Sequence, residues 1–242
     1  FSANGDRLYT SAAGGGVNEW DLSVRTGKKI IDEAAGIITA LELSGKNNMV
    51  AALTNDGRVL FWHTQSPEKR TFLETNGRAI TTHRFIPGGD RLATGDNSGM
   101  IDIWNTSSGT LEGNIEGHMS PVRSIAFDST DEQMLTADDT GEIKLWSLTD
   151  LAQPPVVFED SQKGIICLAF SEDGESFLTA TGQDVTRRPA HVRCMTSGLC
   201  EKVTRNLSEQ EWSAWVGGDI EYEATCPDKD FNIRVREIRG AR

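Results

Sequence analysis

The sequence is poor in positive charge, in cysteine and in long apolar stretches. Its 242 residues carry 24 Lys and Arg against 36 Asp and Glu, a formal net charge of −12 at pH 7. Proteins that bind nucleic-acid phosphates usually carry a basic patch, so we expect no nucleic-acid partner. No apolar run approaches the ~20 residues of a membrane helix, so we expect no membrane partner. The four cysteines favour a reducing compartment and predict a cytoplasmic location.

Motifs for catalysis and for cofactors are also missing. We find no nucleophile elbow, P-loop or paired-carboxylate motif, and predict no catalytic residue and no cofactor. His191, Cys194, Cys200 and Cys226 could be imagined as zinc ligands, but their spacing is not that of a standard finger, so we predict no metal. The sequence leaves open whether Cys200 and Cys226 pair. Cys167 falls in a predicted buried strand, where we expect an inert thiol.

What the sequence does contain is a repeat of 42 residues. Four tryptophans keep this spacing: Trp20, Trp62, Trp104 and Trp146. A second apolar column keeps it too: Phe1, Leu43, Phe85 and Phe127. A fixed period in the 40s predicts a repeat array, in which each repeat is one supersecondary unit.

One repeat reads as four short strands. The pattern is clearest in the fourth repeat, with predicted strands at residues 122–127, 133–137, 142–146 and near 156–158. Gly, Asp and Asn turns separate them. Four short antiparallel strands per repeat are typical of a propeller blade.

Over residues 1–189 the chain resembles the WD-repeat β-propeller family. The resemblance rests on Gly117-His118 followed by Trp146-Ser147, and on the Trp20-Asp21 pair. The resemblance implies an all-β fold of four-stranded antiparallel blades. We expect about five blades here, the first incomplete, as part of a seven-bladed ring.

An arc of five blades has two open edges, which are an aggregation hazard. We therefore expect the chain to be the C-terminal part of a longer polypeptide. The missing blades would come from an upstream segment or from a second chain.

In this family a His, a Ser or Thr, an Asp and the Trp can form a hydrogen-bonded brace. The resemblance implies such a brace in the fourth blade, formed by His118, Thr136, Asp139 and Trp146. The other blades lack the full set, and we expect them to rely on packing.

The loops on one face of the propeller are the predicted partner site. They carry both acidic and basic residues: Arg78, Asp96, Asn97, Arg123 and Asp138. The alternative is that these are solvated turn residues, since loops are polar without any function being required.

Residues 190–242 do not follow the 42-residue repeat. Apolar residues over 192–205 recur at helical spacing. A capping box at Ser208–Glu211 then predicts a short helix that carries Trp212 and Trp215. Over about residues 189–227, the run Arg205-Asn206-Leu207-Ser208, Glu211-Trp212, Tyr222 and Thr225-Cys226-Pro227 resembles the tail found after propellers of bacterial signalling NTPases of the STAND class. The resemblance implies a sensor role beside an upstream nucleotide switch.

We therefore predict a sensor or interaction module that binds a partner protein or an intramolecular partner domain. Two alternatives stay open. One is an enzyme with a site in the central channel, for which His83 on an innermost strand is the only indication, although a satisfied core histidine explains it too. The other is a purely structural scaffold.

Overall fold

The structure, a computed structural model, describes residues 1–12, 16–31, 36–159, 164–191, 200, 205–215, 221, 224 and 226. The chain divides into two compact units, Phe1–Arg188 and Pro189–Arg242. The described part of the first unit is built of antiparallel strands, and that of the second holds one short helix. Among the described residues, no helix has the length and apolar character needed to cross a membrane.

The strands form five antiparallel sheets, which we call blades 1 to 5. Blade 1 holds β1 (Arg7–Ser11), β2 (Val17–Asp21) and β3 (Thr26–Ile31). Blade 2 holds β4 (Ile38–Leu43), β5 (Met49–Thr54), β6 (Val59–His63) and β7 (Thr71–Phe72). Blade 3 holds β8 (Ile80–Phe85), β9 (Arg91–Asp96), β10 (Met100–Asn105) and β11 (Leu111–Glu116). Blade 4 holds β12 (Val122–Phe127), β13 (Gln133–Asp138), β14 (Glu142–Ser147) and β15 (Val156–Glu159). Blade 5 holds β16 (Cys167–Phe170), β17 (Ser176–Ala180) and β18 (Val185–Pro189).

The predicted all-β fold with about five blades is confirmed. Strand order within each four-stranded blade follows the chain, as expected for consecutive hairpins. The 42-residue column of tryptophans reflects a shared register: Trp62 lies opposite Val50, Trp104 opposite Leu92, and Trp146 opposite Met134. Blade 1, which was predicted to be incomplete, has three strands among the described residues, and blade 5 also has three instead of four.

Each repeat tryptophan after the first packs against the preceding blade. Trp62 shares a buried cluster with Val17 and Ile31 of blade 1, Trp104 packs with residues of blade 2, and Trp146 with residues of blade 3. At the next junction the rings of Phe158 and Phe177 meet edge to face, 5.2 Å between centroids. The blades are therefore held mainly by apolar side chains between neighbouring sheets.

The outer face of blade 1 has no such cover among the described residues. Trp20 is 42% exposed, whereas Trp62 in the equivalent place is 1% exposed. At the other end, Leu178 and Val185 of blade 5 are also exposed. Cys167 is a free, exposed thiol, so the prediction that it is buried is wrong. The reason is that burial of a terminal blade depends on a neighbour as well as on its own sequence.

The described part of the second unit includes a short helix whose N-terminus is capped. Helix α1 (Glu209–Trp215) begins after Ser208, whose hydroxyl accepts a hydrogen bond from Glu211 N while the Glu211 carboxylate accepts one from Ser208 N at 2.8 Å. This is the predicted capping box. Arg205 pairs with the same carboxylate and, as the main cause, lowers the Glu211 pKa to about 2. The predicted helical stripe over 192–205 lies almost wholly outside the described residues.

Cys200 and Cys226 form a disulfide. Asn206 fixes the backbone beside it, since its side chain donates to Cys226 O at 2.7 Å and accepts from Cys226 N at 2.8 Å. The bond uses two of the four side chains considered for zinc, and neither can ligate a metal while it is formed. It also removes the basis for inferring a reducing compartment, because structural disulfides persist in oxidising ones. A cytoplasmic location stays a prediction.

Candidate functional site

A chain of hydrogen bonds connects the centre of blade 4 to the loop that precedes it. The indole N–H of Trp146 donates to Thr136 Oγ1 at 2.9 Å, and Thr136 Oγ1 lies 2.8 Å from His118 Nε2. The other imidazole nitrogen, Nδ1, lies 3.1 Å from Glu142 and 3.6 Å from Asp138. Two carboxylates at Nδ1 favour the proton there, so Nε2 accepts the Thr136 hydroxyl proton.

This network corrects one member of the predicted brace. His118, Thr136 and Trp146 come together as expected, but the carboxylate is Asp138 and not Asp139. Asp138 ends strand β13 and points inward, and its Oδ1 accepts hydrogen bonds from the backbone N–H of Thr140 and Glu142. Asp139 is the next residue, in the turn after the strand, and its side chain is 40% exposed. It pairs with Arg123, which lowers the pKa of Asp139 below its usual value.

His118, Asp138 and Glu142 place one possible metal-ligand atom each within 4.8 Å of one another. Hydrogen bonds already account for all three groups. In particular, the Lys144 ammonium lies 2.8 Å from Glu142 and 2.7 Å from Gly117 O, and a cation there opposes a metal ion. Burial lowers the His118 pKa despite these carboxylates. The absence of a metal stays a prediction.

Blade 3 has its own polar network, which the sequence did not reveal. Trp104 Nε1 donates to Thr94 Oγ1 at 2.9 Å, repeating the bond in blade 4. The position of His118 is taken by Asn76, and Arg78 instead pairs with Asp96 at 2.9 Å and with Asp102. Both aspartates are 1% exposed. Blade 3 therefore adds an ion-pair network with two buried carboxylates to the apolar packing that we expected for it.

The predicted partner site also needs correction. Asp96 and Asp138 are buried, and each caps the turn that follows its strand. The Arg78 guanidinium forms ion pairs with Asp96 and Asp102. Only Asn97 and Arg123 of the five predicted residues are exposed. The sequence could not show this, because acidic turn residues look the same whether they point inward or outward.

Four exposed residues lie on the turns and the loop that connect blades 3 and 4, and we call them the loop surface: Asn97, Met119, Arg123 and Asp139. Its backbone is held between two blades, since His118 N donates to Gly99 O at 2.9 Å and Asp139 N to Pro121 O at 3.1 Å. Gly99 is at φ +93 and has no room for a Cβ beside His118 O. Met119 at the tip is 97% exposed. A rigid loop thus presents an apolar side chain to solvent.

Two buried polar atoms mark where the Thr–Trp bond is incomplete. In blade 2 the threonine is replaced by Ala52, and Trp62 Nε1 has no hydrogen-bond partner among the described residues. In blade 5 the threonine is present but the tryptophan is not, and Thr179 Oγ1 is left without a partner in the described part. Blade 2 thus keeps the tryptophan without the threonine, and blade 5 keeps the threonine without the tryptophan.

His83 lies on the inner strand of blade 3, where the other blades have Leu41, Ile125 and Leu168. It is buried and hydrogen-bonds the Ala51 backbone, while its Nε2 has no partner among the described residues. Burial lowers its pKa to about 4, so the ring is neutral at pH 7. Such a histidine fits a core position better than a site that meets substrate.

The inner strands of blades 2 and 3 are joined by Glu42, whose carboxylate accepts from Phe85 N at 3.1 Å and pairs with Arg84 at 3.3 Å. Burial raises the Glu42 pKa to about 7, and the Arg84 charge opposes this shift. The group therefore titrates near neutrality while bridging two blades.

Comparison with known proteins supports the class of fold. Residues 109–147 match the family described as WD domain, G-beta repeat. The match begins before the outer strand of blade 3, β11, and ends with β14 of blade 4, so one sequence repeat spans two sheets. This match and the five antiparallel sheets support a WD-repeat β-propeller. WD repeats generally mediate protein–protein interaction and scaffolding. No curated protein matches the chain.

Proposed function

We propose that this chain is the sensor or interaction module of a larger bacterial signalling protein, and that it binds a partner protein or a partner domain of its own polypeptide through the loop surface. Binding would rest on surface complementarity, with no bond made or broken. The tail resemblance over residues 189–227 supports the signalling context, and the WD-repeat match supports protein binding.

The observation that carries the proposal is the contrast between a fixed backbone and exposed side chains on the loop surface. The His118 network and the bond from His118 N to Gly99 O hold the loop before binding. Preorganisation of this kind lowers the entropic cost of association. Met119 is an exposed apolar side chain four residues before the exposed Arg123, and methionine and arginine are both enriched in interfaces.

We also propose that further blades, from an upstream segment or a second chain, cover the outer faces of blades 1 and 5. The support is the geometry of Trp20, which already donates to Thr10 Oγ1 at 2.9 Å and lies against Gly27. The equivalent indole in blades 2, 3 and 4 is covered by the blade before it. Trp20 therefore has the arrangement of a junction residue on an uncovered face.

A site-specific crosslinking experiment tests the loop surface. A photoreactive residue at position 119 should crosslink one partner in cells, and the same residue at the exposed Leu151 outside the loop surface should not. With the partner purified, Met119→Ala and Arg123→Ala should each weaken binding about tenfold, as for residues at an interface centre. Leu151→Ala should change nothing. Equal capture from both positions, or unchanged affinity, would remove the loop surface from the interface.

A further inference from the structure

The junctions between blades bury each repeat tryptophan against two positions of the blade before it. Trp104 of blade 3 shares a buried cluster with Ala51 on the second strand of blade 2 and with Val59 at the start of its third strand. The corresponding residues of blade 3, Ala93 and Ile101, cluster with the tryptophan of blade 4. We call these two positions the receiving face of a blade, because they take the indole of the next blade.

Blade 5 has a receiving face that is uncovered. Leu178 pairs with the inner strand of its blade in the register that Ala51 has in blade 2. Val185 begins the third strand of blade 5, as Val59 begins that of blade 2. Ala51 and Val59 are fully buried, because blade 3 lies on them. Leu178 is 38% exposed and Val185 is 70% exposed, so this face has room for another sheet.

Blade 1 has the opposite half of such a junction. Trp20 lies opposite Leu8 on the second strand of its blade, the register that Trp104 has in blade 3. Trp104 is 2% exposed, whereas Trp20 is 42% exposed. Phe1, two repeats before the buried Phe85 in the second apolar column, is 76% exposed. These rings therefore lack the cover that their equivalents in blade 3 have.

The two halves belong to one chain but do not meet within it, since both are exposed. A second copy offers each half its complement, and the contact would continue the packing already present between neighbouring blades. One copy contributes blade 1 and the other contributes blade 5, so the contact is heterologous. Each copy then keeps one free half, through which a further copy can add.

We propose that copies of this chain associate head to tail, with Trp20 of one copy packed against Leu178 and Val185 of the next. The proposal rests on the proposed function, in which further blades cover blades 1 and 5, and it identifies the covering chain as another copy. The contact is stabilised by apolar surface removed from water. Each copy carries a net charge of −12, so repulsion opposes the contact, and we expect higher ionic strength to strengthen it.

Sedimentation velocity of the purified chain, across a wide range of concentration, tests the contact. The mean mass of the wild type should rise with concentration. Trp20→Asp and Val185→Asp should each weaken self-association about tenfold or more, as for central apolar residues of an interface. Met119→Asp changes an exposed apolar residue outside both faces, and this control should associate like the wild type. Circular dichroism checks that each variant is folded.

A mixture of the two variants tests the direction of the contact. Trp20→Asp keeps the receiving face of blade 5, and Val185→Asp keeps the indole of blade 1. An equal mixture should therefore form a complex of two chains and nothing larger, because only one intact junction can form. Association of either variant as strong as that of the wild type, or a mixture without a complex, contradicts the head-to-tail contact.

The mass of the wild type separates this contact from the proposed function. A wild-type chain that stays monomeric at every concentration overturns the contact and leaves an upstream segment as the cover of blade 1. If position 119 still captures a partner in that case, the loop surface stands.

Discussion

Blades 3 and 4 both connect a buried aspartate to the loop that precedes the blade, but they do so with different side chains. Each joins its tryptophan to a threonine with a 2.9 Å bond and ends its second strand in a buried aspartate. In blade 4 a neutral histidine completes the network from the preceding loop. In blade 3 an arginine does so and requires a second buried carboxylate, Asp102, beneath it. The shared part reflects strand geometry, and the variable part depends on which loop side chain reaches the aspartate.

The comparison predicts that blade 3 is the more sensitive to loss of its loop residue. Arg78→Ala leaves Asp96 and Asp102 buried without their cation, and we expect the free energy of unfolding to fall by about 3 kcal/mol. Urea denaturation followed by circular dichroism measures this. Arg123→Ala removes an exposed partner of Asp139 and should cost less than about 1 kcal/mol. Similar losses for the two variants would show that the Arg78 network is not a buried structural one.

A second pair of variants compares the threonines. Thr136→Val removes the partner of both Trp146 and His118, and we expect a loss of about 2 kcal/mol. Thr94→Val removes the partner of Trp104 alone and should cost about 1 kcal/mol. Thermal unfolding of the two variants decides the order. If Thr94→Val is the more harmful, the histidine adds nothing to blade 4.

The inner strands extend the comparison to pH, since blade 3 has His83 where blade 4 has Ile125. Because the folded-state pKa of His83 is about 4 against an ordinary 6.5, the unfolded chain takes up a proton first as pH falls. This contribution lowers stability between pH 6.5 and 4, by about 2.5 kcal/mol near pH 4.5. His83→Ile should abolish it. The difference between variant and wild type is the measurement, because Glu42 titrates with the opposite slope; a flat difference across this range contradicts the prediction.

The smallest expected effect is a gain in the free energy of unfolding from a change in blade 2. This blade lacks the threonine that blades 3 and 4 share. Ala52→Thr offers an acceptor to the Trp62 N–H, which has no partner in the described part of the chain, and should stabilise the protein by about 1 kcal/mol. Ala51→Thr is the control, since this neighbour faces the opposite side of the sheet, away from Trp62, and the larger side chain should destabilise. A loss with both variants would mean that blade 2 has no room for the hydroxyl.

The strands and the fold class could be predicted from the sequence because they depend on residues repeated at a fixed spacing. The tryptophan column records a cross-strand register, and the predicted strands of blade 4 agree with the structure within two residues. The capping box at Ser208 was predictable for a similar reason, since it needs only two residues three positions apart.

The candidate site was less predictable, because it depends on the direction in which individual side chains point. Asp138 and Asp139 are neighbours with the same side chain, and only the strand geometry decides which one faces His118. Arg78 and Asp102 belong to no repeated column, so no pattern linked them. Met119 is an ordinary apolar residue until the structure shows it at a loop tip. The pairing of cysteines was likewise undetermined by spacing alone.

The uncovered indole of Trp20 gives the molecule an optical reporter of its own. An indole in contact with water fluoresces at longer wavelength than one sealed between sheets, and a difference spectrum against Trp20→Phe would isolate its emission from that of the other five tryptophans. A shift of that emission to shorter wavelength would signal, without any added label, that another sheet has settled onto blade 1.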